Sequence, residues 1–270
     1  MSPRRHGQSA VRGIAPLFTL ALVLCVWQAA IEIGKIPSTI LPKPFATIQG
    51  LFNWFYSGDI YPHLWATVKV AIGGYILGAI LAVSLAAVMA LYKPAYRHLI
   101  VLLMTVQAIP KIALAPLFFM WLGFGSMTGI SLVMLACFYP MFVNSLTGFR
   151  NADPNLINLY RTFDASKLKI FFAVSFPSAL PHIFVGLEIS VVFALIAAVV
   201  MEFIASARGL GFLIQDAATT LNTETVFSSV AILAIGGIIL SSLVRRLRRH
   251  VVFWDASSKS PADHQQVNIQ

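Results

Sequence analysis

Four polar side chains sit in the apolar body of this sequence, where they could act on a solute. Lys111 is the only charge between Leu99 and Phe149. An ammonium in the middle of a hydrocarbon layer costs about 2.5–3.5 kcal/mol on insertion scales, so Lys111 must face protein or water. Pro110 and Pro116 flank it. It reads either as a positive group lining a path for anions or as a lysine bonded to carbonyls that the prolines release. Gln107 and Asn144 are neutral polar groups in the same apolar stretch, and such groups line a pathway or bond helices together. Glu202 lies near the end of a later apolar run. It reads equally as a gate, as a pairing partner or as a carboxylate at the water interface.

These groups can attract and pass a solute; they do not amount to a reaction. The phosphate-cradling pattern G-x-x-x-x-G-K-[ST], the zinc-protease pattern H-E-x-x-H and the nucleophile pattern G-x-S-x-G are all missing. The six His are scattered and the two Cys lie apart, at 25 and 137, so no metal set or disulfide framework follows. No enzyme, cofactor or metal is expected.

The elements that would position these groups are membrane helices. The chain of 270 residues is 58% hydrophobic and only 11% charged, with a mean hydropathy of +0.81. That is too little polar surface for a soluble globule, and it excludes wholesale disorder. Six uncharged or nearly uncharged runs approach the roughly 20 residues that cross a bilayer. They are Ile14–Ile31, Val70–Leu91, Leu99–Leu122, Ile130–Phe149, Ile183–Phe203 and Thr225–Val244, with the GFGSMTG stretch dividing the third from the fourth. They are apolar on every face, so they are helices rather than strands of a barrel. The expected fold is an all-α polytopic bundle of six transmembrane helices. Gly74-x-x-x-Gly78 inside the second run predicts a close helix contact.

Basic residues orient the bundle. With the N-terminus inside, 14 of the 19 Lys and Arg fall on cytoplasmic segments and 3 on outer ones. The positive-inside rule then places both termini in the cytoplasm. The run RRLRRH at Arg245–His250 reads as an anchor against anionic lipid rather than a nucleic-acid patch. The expected divisions are a cytoplasmic tail at 1–13, a six-helix transmembrane block at 14–250 and a polar cytoplasmic tail at 251–270. The first span reads as a retained anchor rather than a cleaved signal.

One inside connection, about 150–182, is too polar to span and too apolar for a plain linker. Leu156, Leu159, Tyr160 and Phe163 recur at helical spacing. Asp153-Pro154 suits a helix start, and Asp164 or Ser166 suits the cap of a second short helix, which Pro177 is expected to end. The loop therefore predicts two short helices lying across the cytoplasmic face. Such a pair either lies on the membrane surface or inserts into a cytoplasmic partner.

Here the chain resembles the permease subunits of bacterial ABC importers, in the nitrate, sulfonate, taurine and thiamine-precursor branch. Their cytoplasmic loop carries E-A-A, three residues, G, nine residues and I-x-L-P. With its last Pro on Pro177, the E-A-A falls on Asn158-Leu159-Tyr160 and the Gly on Asp164. Ala165-Ser166 matches the A-S that commonly follows. Leu41-Pro42-Lys43-Pro44, IPKIALAPLFFMWLGFG at Ile109–Gly125, FRNADP at Phe149–Pro154 and Gly209-Leu210-Gly211 fit as well. The resemblance covers about 37–254. The departures are an Asn for the Glu, bulky residues for both Ala and an Asp for the Gly. That Gly sits at the turn between the two helices, which suits a positive φ, and Asp tolerates one better than most residues.

The resemblance implies a division of labour. Asn158, Leu159, Tyr160, Arg161, Phe163, Asp164, Ala165, Ser166 and Lys167 would form the loop that couples the chain to an ABC ATPase subunit. Two copies, as a homodimer or with a sister permease, would enclose the passage in the bacterial inner membrane. A substrate-binding protein would deliver a small solute, and ATP would be hydrolysed on the partner. The rival is a stand-alone oligomeric secondary transporter or channel, which predicts inverted repeats and mid-membrane carboxylates.

Overall fold

The computed structural model describes residues 7–254, and the regular structure it shows there is helical. In chain order the helices are α1 (Gly7–Gly34), α2 (Pro44–Ser57), α3 (Ile60–Leu91), α4 (Lys93–Gln107), α5 (Ala115–Leu122), α6 (Ser126–Arg150), α7 (Pro154–Thr162), α8 (Lys167–Ile170), α9 (Phe176–Ala205), α10 (Leu210–Thr219) and α11 (Thr223–Val251). A 3₁₀ turn, Lys111–Leu114, precedes α5, and a π turn, Phe171–Ser175, joins α8 to α9. Most of the expected polar tail, with Lys259, lies outside the described residues, as do Arg4 and Arg5 at the other end.

Among the described residues, four continuous helical stretches are long and apolar enough to cross a membrane: α3, α6, α8 through α9, and α11. They contain the runs expected at Val70–Leu91, Ile130–Phe149, Ile183–Phe203 and Thr225–Val244, and each extends beyond them. A count of uncharged residues stops at the first charge, whereas a helix continues through it. The run at Ile14–Ile31 falls inside α1, whose apolar part includes Ala21–Gly34.

The third run, Leu99–Leu122, is corrected: it is not one helix. α4 ends at Gln107, and the chain passes through Pro110 and the 3₁₀ turn before α5 begins. Pro110 has no N–H to donate and pushes Ile109 out of the helical region, while Pro116 is accommodated in the first turn of α5. Lys111 therefore stands at the break. The GFGSMTG division holds, with Gly123 at φ 73° ending α5.

The internal contacts of the chain group into two compact units. In the first, the N-terminal segment to His63 packs with Leu213–Ile232. Pro44 starts α2, Gly58 ends it at φ 83°, and the Trp27 and Phe227 rings lie 5.5 Å apart. The Ser228 hydroxyl donates to the Thr47 carbonyl at 3.2 Å.

The second unit comprises Leu64–Phe212 and the chain from Leu233 on. Its centre is the packed pair α6 and α9, around Val133, Cys137, Phe142, Val191, Ala194 and Ala198. Small residues let the two backbones approach. A Cβ on Gly148 would lie 2.9 Å from the Ala179 carbonyl, and one on Gly186 would lie 3.1 Å from Met141 Cα. Cys137 and Ser190 each donate to the other's carbonyl, at 3.4 and 3.2 Å. α3 joins through the predicted motif, since a Cβ on Gly74 would collide with the Ile130 carbonyl at 2.6 Å. Outward rows such as Ile235, Ile238, Ile239 and Leu243 remain exposed. That is the expected state of helices whose solvent is lipid.

Candidate coupling loop and translocation cleft

The loop is built almost entirely by its own neighbours in sequence. Asp153 caps α7, its carboxylate accepting from the Asn155 N–H at 2.8 Å, and Pro154 occupies the first turn. At the other end the Ala165 N–H donates to the Tyr160 carbonyl at 3.1 Å and the Asp164 N–H to the Arg161 carbonyl at 3.0 Å. Those two bonds are a Schellman ending, which demands a left-handed residue at Asp164. Its φ is +52°. Ser166 then caps α8, accepting from the Lys169 N–H at 3.3 Å.

One expectation is corrected here: Pro177 does not end the second helix. The Phe176 N–H reaches back five residues to the Phe171 carbonyl, so the helix widens by one residue just before the proline. The wide turn relieves the clash that a proline ring makes with a carbonyl in an α-helix. The chain runs without a break from Lys167 to Ala205.

The candidate loop residues separate by exposure. Leu156, Leu159, Phe163 and Leu168 face outward, with Phe163 77% exposed, while Tyr160 and Ala165 are half-buried. Asn158, Arg161, Asp164, Ser166 and Lys167 are exposed around them. Ile170 is buried and Ile157 half-buried on the inner side. The apolar face of the pair is therefore split between anchoring the loop and presenting a surface.

Three of the four polar candidates meet in one cleft. Gln107, Lys111 and Asn144 line a cavity of about 570 Å³ together with Tyr139, Pro140 and Phe193. Lys111 Nζ stands 6.0 Å from the centre of the Tyr139 ring. The contact recorded for its ammonium is that ring. Asn144 Nδ2 donates to the Pro140 carbonyl at 2.7 Å.

Glu202 is elsewhere. It is buried, 2% exposed, and its Oε2 accepts from the Thr67 hydroxyl at 3.0 Å and from the Gly211 N–H at 2.7 Å. Thr67 Oγ1 in turn accepts from the Leu210 N–H at 2.8 Å. Glu202 and Thr67 thus satisfy the first two free N–H groups of α10. Gly209, at φ +135°, leaves room that a Cβ would fill, 2.2 Å from the Glu202 carboxyl carbon. Thr67 was beyond sequence reasoning because 135 residues separate it from its partner. Tyr139 was within reach, since it lies four residues before Val143 and five before Asn144 on α6.

With this geometry in view, the chain matches the sequence profile described as "binding-protein-dependent transport system inner membrane component" over residues 74–253. It belongs to that family. Within it, the chain falls in the ABC importer branch of sulfonate, taurine and thiamine-precursor permeases. A putative aliphatic sulfonates transport permease of Bacillus subtilis is 29% identical over 93% of this chain and 91% of its own length. A riboflavin transport system permease of Chloroflexus aurantiacus is 33% identical over 88% of this chain and 89% of its own. Among solved structures, the inward-facing MetNI methionine ABC transporter superposes with a TM-score of 0.62 at 18% identity, over 70% of this chain and 94% of that one. The likeness is of fold. The helices of this family member that cross the bilayer make it a multi-pass membrane protein.

Proposed function

We propose that this chain is the membrane-spanning subunit of a bacterial ABC importer, with both termini in the cytoplasm and α7 and α8 as the coupling loop. The observation that carries this reading is the capped helix pair turned at Asp164, which leaves Phe163 and Leu159 exposed on a rigid support. An aromatic held outward on a short helix is an anchor for a pocket on another protein. The partner is an ABC ATPase, whose closure would rock the spans as rigid bodies. A second copy or a sister permease completes the passage in the inner membrane, and a substrate-binding protein supplies the solute.

The solute is a small molecule of the sulfonate, nitrate, taurine or pyrimidine-precursor kind. The Lys111 cleft favours one with an anionic group, since a lone ammonium in apolar walls attracts negative charge strongly. Chemistry on the solute has no place in this reading; the chain alternates access while the partner hydrolyses ATP. Co-purification of the tagged chain from native membranes tests the assembly. An ATPase recovered in comparable amount supports it. A chain recovered alone and oligomeric overturns it in favour of a stand-alone transporter.

A further inference from the structure

A second cleft lies next to the first. It has a volume of about 370 Å³ and is lined by Tyr96, Leu103, Tyr139, Thr147, Arg150 and Asn151. Tyr139 and Val143 line both clefts. A narrow gap of about 30 Å³, bounded by Leu103, Gln107, Lys111 and Tyr139, lies beside them. One face of α6 therefore serves the whole series, because Tyr139, Val143, Thr147 and Arg150 recur at helical spacing. Each cleft holds one cation. Lys111 is in the first, and Arg150, eleven residues beyond Tyr139 and so about 16 Å along the helix, is in the second. The Arg150 guanidinium sits over the Tyr96 ring, 4.5 Å from its centre, and donates to the Tyr96 hydroxyl. That fixes its position and leaves donors over, since a guanidinium has five. The Tyr139 hydroxyl makes no hydrogen bond among the described residues. Its ring stands between the two clefts, half-buried, with the Lys111 ammonium 6.0 Å from its centre.

We propose that the two clefts are successive stations for an anionic group, one at Lys111 and one at Arg150, with the Tyr139 ring as the gate between them. This rests on the Lys111 cleft being part of the passage. A route with one cation at each end and an aromatic in the middle binds an anion twice and lets it leave each station. The gate selects by size, because the neighbouring walls, Leu103 and Val143, are apolar.

Cysteine labelling of the full chain in native membrane vesicles tests the gate without transport. The background carries Cys25→Ser; Cys137 is fully buried and serves as its own silent control. Asn144→Cys reports the first cleft and Thr147→Cys the second. The probes are 2-sulfonatoethyl methanethiosulfonate and its trimethylammonium counterpart, added to inside-out and to right-side-out vesicles. From the face carrying α7 and α8, Thr147→Cys reacts quickly whatever stands at 139. Asn144→Cys reacts slowly, severalfold faster with Tyr139→Ala and more slowly still with Tyr139→Trp. A misfolded chain would not change in both directions. The sulfonate reagent is preferred about tenfold at both positions. Lys111→Met removes the preference at Asn144→Cys alone, and Arg150→Gln removes it at Thr147→Cys alone. Labelling of Asn144→Cys that ignores residue 139, or a charge preference that ignores both cations, overturns the proposal. Labelling needs neither ATP nor a partner. A failed co-purification therefore sinks the importer reading and leaves the gate standing, while a failed labelling pattern does the reverse.

Discussion

Two short-helix corners of this molecule are closed by different means. At α7 and α8 the caps come from Asp153 and Ser166, and each bonds an N–H two or three residues away. At the start of α10 the caps come from Thr67 and Glu202, the first 143 residues away in sequence. The first corner leaves Leu156, Leu159, Phe163 and Leu168 exposed; the second is sealed around Glu202 and Leu210, each about 2% exposed. A corner that caps itself can keep its shape whatever its outer face meets. A corner held by remote residues keeps the remote elements together. On the proposed function, exposure with local closure marks the docking surface of this chain, and burial with long-range closure marks a structural joint.

The largest effect that would break this contrast is at Phe163. Replacing it by Asp places a charge where an aromatic is 77% exposed. The fold should be untouched, because the side chain has little to lose in packing. ATP-driven uptake should fall at least tenfold, as expected for loss of an anchor worth about 2 kcal/mol or more, and ATPase co-purification should fall with it. Wild-type uptake with the variant present at normal level in the membrane would remove the working-surface reading. Tyr160→Asp should behave similarly but with some loss of folded protein, since Tyr160 is half-buried.

Glu202→Ala should do the opposite. It leaves the Gly211 N–H without its acceptor in a buried place, at a cost of about 1–3 kcal/mol. The thermal midpoint of the purified chain in detergent should fall by several degrees. Uptake per folded molecule should stay close to normal. Glu202→Gln keeps an acceptor oxygen and should recover most of the stability. If Glu202→Gln instead abolished uptake at full stability, the sealed corner would have a transport role and the contrast would fail.

The same distinction explains what was legible in the sequence. Helices, the break at Gly123–Gly125, the cap at Asp153, Ser166 as one of two candidate caps and the close approach at Gly74 all follow from residues within a few positions of one another. Asp164 at a left-handed turn was legible too, through its place opposite a glycine in the family pattern. The continuity through Pro177 was not, because a π turn upstream changes which carbonyl the ring would meet. The break of the Leu99–Leu122 run was only partly visible, since a proline in a membrane helix can kink it as well as end it. Glu202 stayed ambiguous for the plainest reason: its partner Thr67 is distant along the chain. The convergence of Gln107, Lys111 and Asn144 was half visible, as polar residues in apolar runs, but their meeting depends on where α4 stops.

A smaller effect belongs to Lys111. Lys111→Met keeps length and packing and removes the charge from the first cleft. Uptake of an anionic solute should fall severalfold while that of a neutral one is unchanged, measured as initial rates in proteoliposomes holding the complete assembly. Equal loss for both solutes would assign the lysine to the structure of the break rather than to the passage.

The smallest effect, and the finest test of the self-capped corner, is at Asp164. A non-glycine residue at φ +52° carries a strain of about 1 kcal/mol, less for Asp than for most. Asp164→Gly should relieve that strain and leave the Schellman bonds from Ala165 and Asp164 N–H intact, slowing hydrogen exchange at those two amides slightly. Asp164→Val should raise the strain, because a β-branched side chain resists a left-handed backbone. Its exchange there should quicken and its ATPase binding should weaken about tenfold, roughly the 1.4 kcal/mol that the turn would lose. The ordering Gly, Asp, Val in both measurements ties docking to the shape of the turn. If Val and Gly docked equally well, the exposed side chains alone would make the surface, and the rigidity of the corner would matter only to its own fold.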